Sequence, residues 1–363
     1  MPGIVTHNRI FKESILFLKK KEKRNFLLNS INALFENPSH MTAGLFGTIG
    51  PNIFDYIPFQ SGNRIYGSDI SFFIHNGGLD KLLQHMIDTL YNYGDKNNEW
   101  ASTQRAYIYG FISHIVADSI FHPFIFYYSG FPAHYTKKEI HFFREQNLIF
   151  QYNLDNYFQF HDDKLGDFTF SIDEMLPVSN RGIIYGIDRS IKSLIMDSMK
   201  EAYPEIHKKL LIYDLTKYFR ATRMGASYID WIPRFIKITY SLKRNANRRM
   251  GNIFRYLLRN GIIYSDFIVR YPINKRYNKQ ILNLQRQRWD HPAGKPGLHY
   301  ESIQNLMLQS CEKTVELWEK IESSLYGEEN LSIFDDLAIN AYTGDAELSY
   351  HDMKIKEPVR LTL

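Results

Sequence analysis

Apolar residues recur at helical spacing through most of the chain. Residues 11–20 form a short predicted helix with Ile15 and Leu18 on one side, and 24–35 continue at the same spacing. Residues 41–67 read mostly as loop, punctuated by Gly44, Gly47, Gly50-Pro51, Pro58 and Gly62. Helix returns over 80–93. The strongest segment, 103–127, is apolar on nearly every side, which predicts a helix buried among others. The next helix, 137–160, offers Phe142, Leu148, Ile149, Tyr152 and Leu154 for packing.

Beyond Asp167 the pattern loosens, and Phe168-Thr169-Phe170 with Pro177 leaves room for a short extended piece. Helices are expected again over 188–200 and 204–219, and between Pro233 and Pro272. An amphipathic helix over 300–325 follows the loop from Trp289 to Gly297, and the part after Gly327 reads as peripheral. The predicted architecture is all-α: one helical domain over 1–325 with an appended tail over 326–363. No repeat or low-complexity tract interrupts it.

A chain of 363 residues buries a substantial core without cross-links, and the single Cys311 forms no intramolecular bridge. With no cysteine cluster, a metal here is held by histidine and carboxylate. The first residues show no basic-then-apolar leader, which leads us to expect a cytoplasmic location. Residues 108–128 are the most apolar stretch but carry His114, Asp118 and His122, so no membrane span is expected. The formal charge of +5 is mild, with much of the excess between Lys217 and Lys279. A basic face there suits lipid headgroups or nucleic acid, but a solvated helical surface in a mildly basic protein is the favoured account over either. Phosphate-loop, nucleophile-elbow and zinc-finger patterns do not occur.

His114, Asp118 and His122 follow one another at four-residue steps inside the most apolar helix. Such side chains share one stripe, about 6 Å apart from turn to turn. Burying a carboxylate between imidazoles is costly without a partner, and a divalent cation supplies one. The next helix carries His141 and Glu145, a second four-residue pair able to face an ion. Two such helices packed together can hold more than one zinc. The plainer alternative is a buried histidine hydrogen-bond network, which a single pair would favour; five residues on two helices favour metal.

The run from Tyr109 to Phe124 (YGFISHIVADSIFHPF), followed by His141-x-x-x-Glu145, resembles the zinc-dependent phospholipase C family. Met1-Pro2-x-x-x-Thr6-His7, Gly47-x-x-Gly50-Pro51-Asn52 and Trp289-Asp290-His291-Pro292 look like the same family. The likeness is dense over residues 1–160, returns at 270–325 and is weak between. It implies a multi-helix bundle shared with the fungal and plant single-strand nucleases. It also implies two or three Zn2+ ions: His75, His114 and Asp118 hold one, His122, His141 and Glu145 a second, and Asp118 bridges toward a third at His7. Where the family has an aspartate ligand after Gly-Pro, this chain has Asn52. Either Asn52 ligates through its amide oxygen, or Asp55 reaches in as ligand and general base. The family ligands of the third zinc in secreted members include the mature N-terminal amine, for which removal of Met1 would leave the prolyl amine of Pro2 as the counterpart here; a two-zinc site with an ordinary N-terminus is the alternative.

The implied activity is hydrolysis of a phosphodiester by metal-activated water, as in a phospholipase C acting on phospholipid headgroups. A single-strand nuclease is the runner-up, with nucleic acid the less expected partner, and a metal-stabilised non-catalytic binding protein is the third reading. Peripheral membrane contact through the aromatic run from Phe121 to Phe131 is a minority expectation against core packing. His85, His134, His161, His207, His299 and His351 read as surface or loop histidines, with His134 the reserve ligand, and His291 as part of its loop.

Overall fold

The computed structural model describes residues 2–21, 26–57, 67–131, 137–161, 168–181, 184–211, 227–245, 276–327 and 339–354. It is predominantly helical, as the apolar spacing requires. In chain order the helices are α1 (Ile4–Lys21), α2 (Phe26–Glu36), α3 (Pro38–Gly47), α4 (Gly67–Phe73), α5 (Leu79–Tyr91), α6 (Glu99–Ser129) and α7 (Lys137–Phe160). After a short hairpin, β1 (Val178–Arg181) and β2 (Ile184–Ile187), come α8 (Arg189–Ala202), α9 (Pro204–Leu210), α10 (Ile232–Asn245) and α11 (Ile303–Tyr326). The strands are antiparallel with Val178 opposite Ile187, and account for the extended piece expected near Pro177.

Helix α6 is the axis of the molecule. Asn98 caps its start, accepting from the Ala101 amide at 2.9 Å, and Gly130 ends it at φ 68°. Its 106–116 half lies in the largest apolar core, which takes in Phe11, Phe46, Leu83, Ile191 and Trp318. Its later half joins a second core with Ile10, Phe150, Trp289 and Leu306. Phe126 reaches a third, smaller cluster with Phe131, Tyr342, Tyr350 and Met353. By length and composition α6 would pass for a membrane span, contrary to expectation, because Asp118 is the one ionised group in its apolar part. Of that window 89% is buried inside the protein. The rings of Phe121, Phe124, Phe126, Tyr128 and Phe131 are likewise buried, so core packing is their role.

Three sequence expectations need correction. Residues 41–57 are not mostly loop: α3 runs to Gly47, and a 3-10 helix spans Gly50–Tyr56. Its glycines misled the reading, because they serve helix packing rather than turns. A β-carbon on Gly110 of α6 would lie 1.9 Å from the Gly44 carbonyl, and one on Gly47 would lie 2.2 Å from the Tyr107 carbonyl. The backbones of α3 and α6 therefore touch. Phe142, expected to pack, is 39% exposed. The segment expected to be peripheral is built into the body at 339–354: Ala341 and Tyr342 are buried, and the Ala341 amide donates to the His75 carbonyl at 3.0 Å. The continuation of the 204–219 helix past Leu211, most of the basic stretch from Lys217 to Lys279, and His134 lie outside the described residues.

Gly110→Ala tests the crossing. Because the contact is backbone on backbone, no side chain can turn aside, and a loss of about 1–3 kcal/mol in unfolding free energy is expected. An unchanged denaturant midpoint would contradict the close approach.

Candidate metal centre

Two helices, α1 and α6, and one irregular turn bring five of the predicted residues to one point. Asp118 lies at its middle, fully buried. Its Oδ2 faces His75 Nε2 at 3.0 Å and His114 Nε2 at 3.0 Å. Its Oδ1 faces His7 Nε2 at 3.3 Å and His122 Nε2 at 3.5 Å. Each oxygen thus serves two imidazoles. The donor atoms of His7, His114 and Asp118 all lie within 4.8 Å of one another, the spacing a shared cation needs.

Each histidine is placed by its own element. His7 sits in the first turns of α1, whose start is held by Asp155 of α7: its Oδ1 accepts from the Thr6 amide at 3.0 Å and the Thr6 hydroxyl at 2.7 Å. A carboxylate there also complements the helix dipole. Gly3 leaves room for it, since a β-carbon would lie 2.1 Å from Asp155 Oδ2. The Met-Pro-Gly-x-x-Thr-His start therefore has a local physical reason.

His75 comes from the π-helical turn Ile74–Gly78, where Asn76 and Gly77 (φ 133°) leave helical geometry. Such turns widen a helix and re-aim a side chain. Its Nδ1 donates to the Ser71 carbonyl at 2.7 Å. His114 Nδ1 donates to the Thr48 carbonyl at 2.8 Å, and its ring stacks on His7 at 4.0 Å between centroids. The Thr48 hydroxyl is fixed in turn by Asn8 of α1, at 2.7 Å. Gly50, at φ 56°, lies against the His114 ring, where a β-carbon would come within 2.3 Å. His122 Nδ1 donates to the Ala341 carbonyl.

These hydrogen bonds fix the chemistry of the centre. Once Nδ1 carries the donated proton, a neutral imidazole has a bare lone pair at Nε2. His75, His114 and His122 all turn Nε2 toward the Asp118 carboxylate, and the first two of these atoms lie only 3.2 Å apart. Burial holds His7 down to about 4, with His114 adding to the effect and Asp118 opposing it. Burial likewise keeps His122 well below the ordinary histidine value. For Asp118 burial acts upward, but His122, His114 and His7 outweigh it and hold the carboxyl well below the carboxylate range. Imidazoles that resist protonation, as His7 and His122 do, together with a carboxylate that resists neutralisation, are the donor types that zinc takes.

The other predicted residues are placed differently. Asn52 is half-buried in the 3-10 helix, and its Oδ1 accepts from the Ser71 hydroxyl at 3.0 Å. Ser71 also supplies the carbonyl that orients His75, so Asn52 stands one residue behind that ligand. Asp55 is half-buried on the same short helix. Glu145 is buried on α7, whereas the His141 side chain lies outside the described residues. His291 accepts from the Ala293 amide at 3.2 Å, which confirms its part in loop structure. Sequence reasoning missed the carbonyls of Thr48, Ser71 and Ala341, which no residue type announces, and the aromatic ring of Tyr342, which stacks on His122 at 5.1 Å.

Comparisons of the chain with models of known protein families, with curated proteins and with solved structures returned no match in any of the three. The family likeness accordingly rests on the motif residues named above.

Two outcomes follow from this geometry. Gly50→Ala and Gly294→Ala both force a left-handed backbone on alanine, at roughly 1–2 kcal/mol each. Only the first strikes an imidazole, since Gly294 meets only the end of the Lys354 side chain, with a β-carbon 3.3 Å from its Nζ. A zinc titration should show weaker binding for Gly50→Ala than for Gly294→Ala; equal affinities would contradict the assignment. On acidification, His7 has a folded value of about 4 against an ordinary 6.5, so the folded state binds fewer protons than the unfolded chain between them. Stability is full above 6.5 and falls as pH drops toward 4. Asp118 adds a further loss below its ordinary 3.8, because its folded value is lower still. Calorimetric melting temperatures should therefore fall between pH 7.5 and 4.5, and a flat profile would refute a neutral, buried His7.

Proposed function

We propose that this chain is a zinc-dependent phosphodiester hydrolase of the phospholipase C type, with phospholipid headgroups as the substrate class. The observation that supports it most directly is the pairing of two imidazole nitrogens with each oxygen of Asp118, within 3.0–3.5 Å. Lone pairs brought so close repel one another unless a cation lies among them. The residues present fit the metal: His75 and His114 on the Oδ2 side, and His7 and His122 on the Oδ1 side, with Asp118 as the shared ligand. On this reading His141 and Glu145 add ligands from α7, and Asn52 acts behind His75 through Ser71.

Zinc, when bound, lowers the pKa of a water and neutralises charge on phosphoryl oxygens. The protein's own share is to hold His7 and His122 deprotonated by burial, to fix the rotation of His75, His114 and His122 through backbone carbonyls, and to keep the Asp118 carboxylate ionised. Asp55, on the Gly50–Tyr56 helix, is the proposed general base that takes the proton of the attacking water. The single-strand nuclease reading calls for the same donor set with an aromatic slot for a base.

One observation favours the non-catalytic reading. His7, His75, His114, Asp118 and His122 are all at most 2% exposed. Structural zinc sites are closed in this way, whereas catalytic ones keep a coordination position open. Elemental analysis with turnover of a soluble phosphocholine ester separates the readings. Two or three zincs with turnover are expected, with His114→Ala losing both. Asp55→Asn should retain zinc and lose about 10²–10⁴-fold in rate, as expected on removal of a general base. Stoichiometric zinc without turnover would leave the structural reading, and no zinc would overturn both.

A further inference from the structure

Residues 339–354 enter the centre from outside the helical body, and the function just proposed gives them no part. We propose that 340–344 form a strap that completes the metal centre by orienting and roofing His122 and His75, so that metal affinity depends on the C-terminal segment. This rests on the metal reading above.

The strap touches both imidazoles with consecutive residues. The Ala341 carbonyl accepts from His122 Nδ1, which leaves Nε2 as the atom turned toward Asp118. The Ala341 amide donates to the His75 carbonyl at 3.0 Å, inside the π turn where regular helical pairing is broken. The next residue, Tyr342, lays its ring over His122 at 5.1 Å and 23°, and beside His75 at 5.5 Å and 37°. Partners of this kind set the tautomer and rotation of a metal-binding histidine.

Its register is fixed rather than incidental. Asn340 Oδ1 accepts from the Tyr342 and Thr343 amides at 2.9 and 3.2 Å, and its amide donates to Asn76 Oδ1 at 3.0 Å. Asn76 is the neighbour of His75, so the strap grips the turn that carries the ligand. On α6, Pro123 cannot donate to the Ser119 carbonyl four residues earlier. Gly344, at φ 65°, packs against that carbonyl, where a β-carbon would lie 2.3 Å away. The Trp289–Gly297 loop holds the far side: His291 hydrogen-bonds the Thr343 backbone, Lys295 pairs with Asp345 at 3.7 Å, and the Pro292 carbonyl accepts from the Lys354 amide at 2.7 Å.

The test uses the full chain, with zinc affinity read by competition with a chromophoric chelator and ligand geometry read from the absorption bands of bound Co2+. Tyr342→Phe keeps the ring and should stay closer to the wild type than Tyr342→Ala in both. Tyr342→Ala removes the roof, and Gly344→Ala forces the strap off the Ser119 carbonyl. Each should weaken zinc about 10–100-fold and shift the cobalt bands while far-ultraviolet dichroism stays helical. Wild-type affinity and an unshifted cobalt spectrum in both alanine variants would overturn the strap while leaving the metal centre standing. Failure of the wild-type protein to take up zinc or cobalt would overturn the metal reading itself, and the strap with it.

Discussion

One ionised carboxylate surrounded by imidazoles in a dry helical interior is the interaction on which the rest of this structure turns. Asp118 is fully buried at the centre of α6, a helix whose other neighbours are almost all apolar. Charge in such surroundings carries a desolvation cost that only close, well-oriented partners offset. α1 and the π turn each bring one such partner, and α6 brings two. The cost therefore selects the packing: α1 must present His7, the π turn His75, and α6 itself His114 and His122.

That demand explains features that look unrelated along the chain. The glycine contacts between α3 and α6 draw the Thr48 carbonyl close enough to orient His114, and Gly50 leaves that ring its space. Asp155 of α7 anchors the first turn of α1, so the position of His7 depends on a helix that follows it by about 150 residues in sequence. Elsewhere on α6, buried Arg105 pairs with Glu322 at 3.5 Å, and Trp318 donates to the Tyr109 carbonyl at 3.0 Å, fastening α11 along the same axis. A long buried helix with polar residues spaced along it thus acts as a common frame for the core and the centre.

Burial has opposite consequences for binding and for turnover. It holds His7 and His122 below the ordinary histidine value and would strengthen the hold on a bound cation, because a dry site screens electrostatic attraction less than water does. It also closes the approach that a substrate needs. The hydrolase and structural readings divide on this one property.

The sequence by itself determined the helical class, the buried character of α6 and the stripe of His114, Asp118 and His122, because helical periodicity is a local property and spacing alone puts those side chains on one face. It also marked His7 and His75, through motif likeness rather than spacing. Tertiary structure alone decided which carbonyl orients each imidazole, that Gly44, Gly47 and Gly110 pack helices instead of making turns, and that Asn52 acts behind His75. It alone brought Ala341 and Tyr342 to the centre. The physical reason is that these contacts join residues tens to hundreds of positions apart, through backbone atoms that every residue carries, so no residue type or spacing records them.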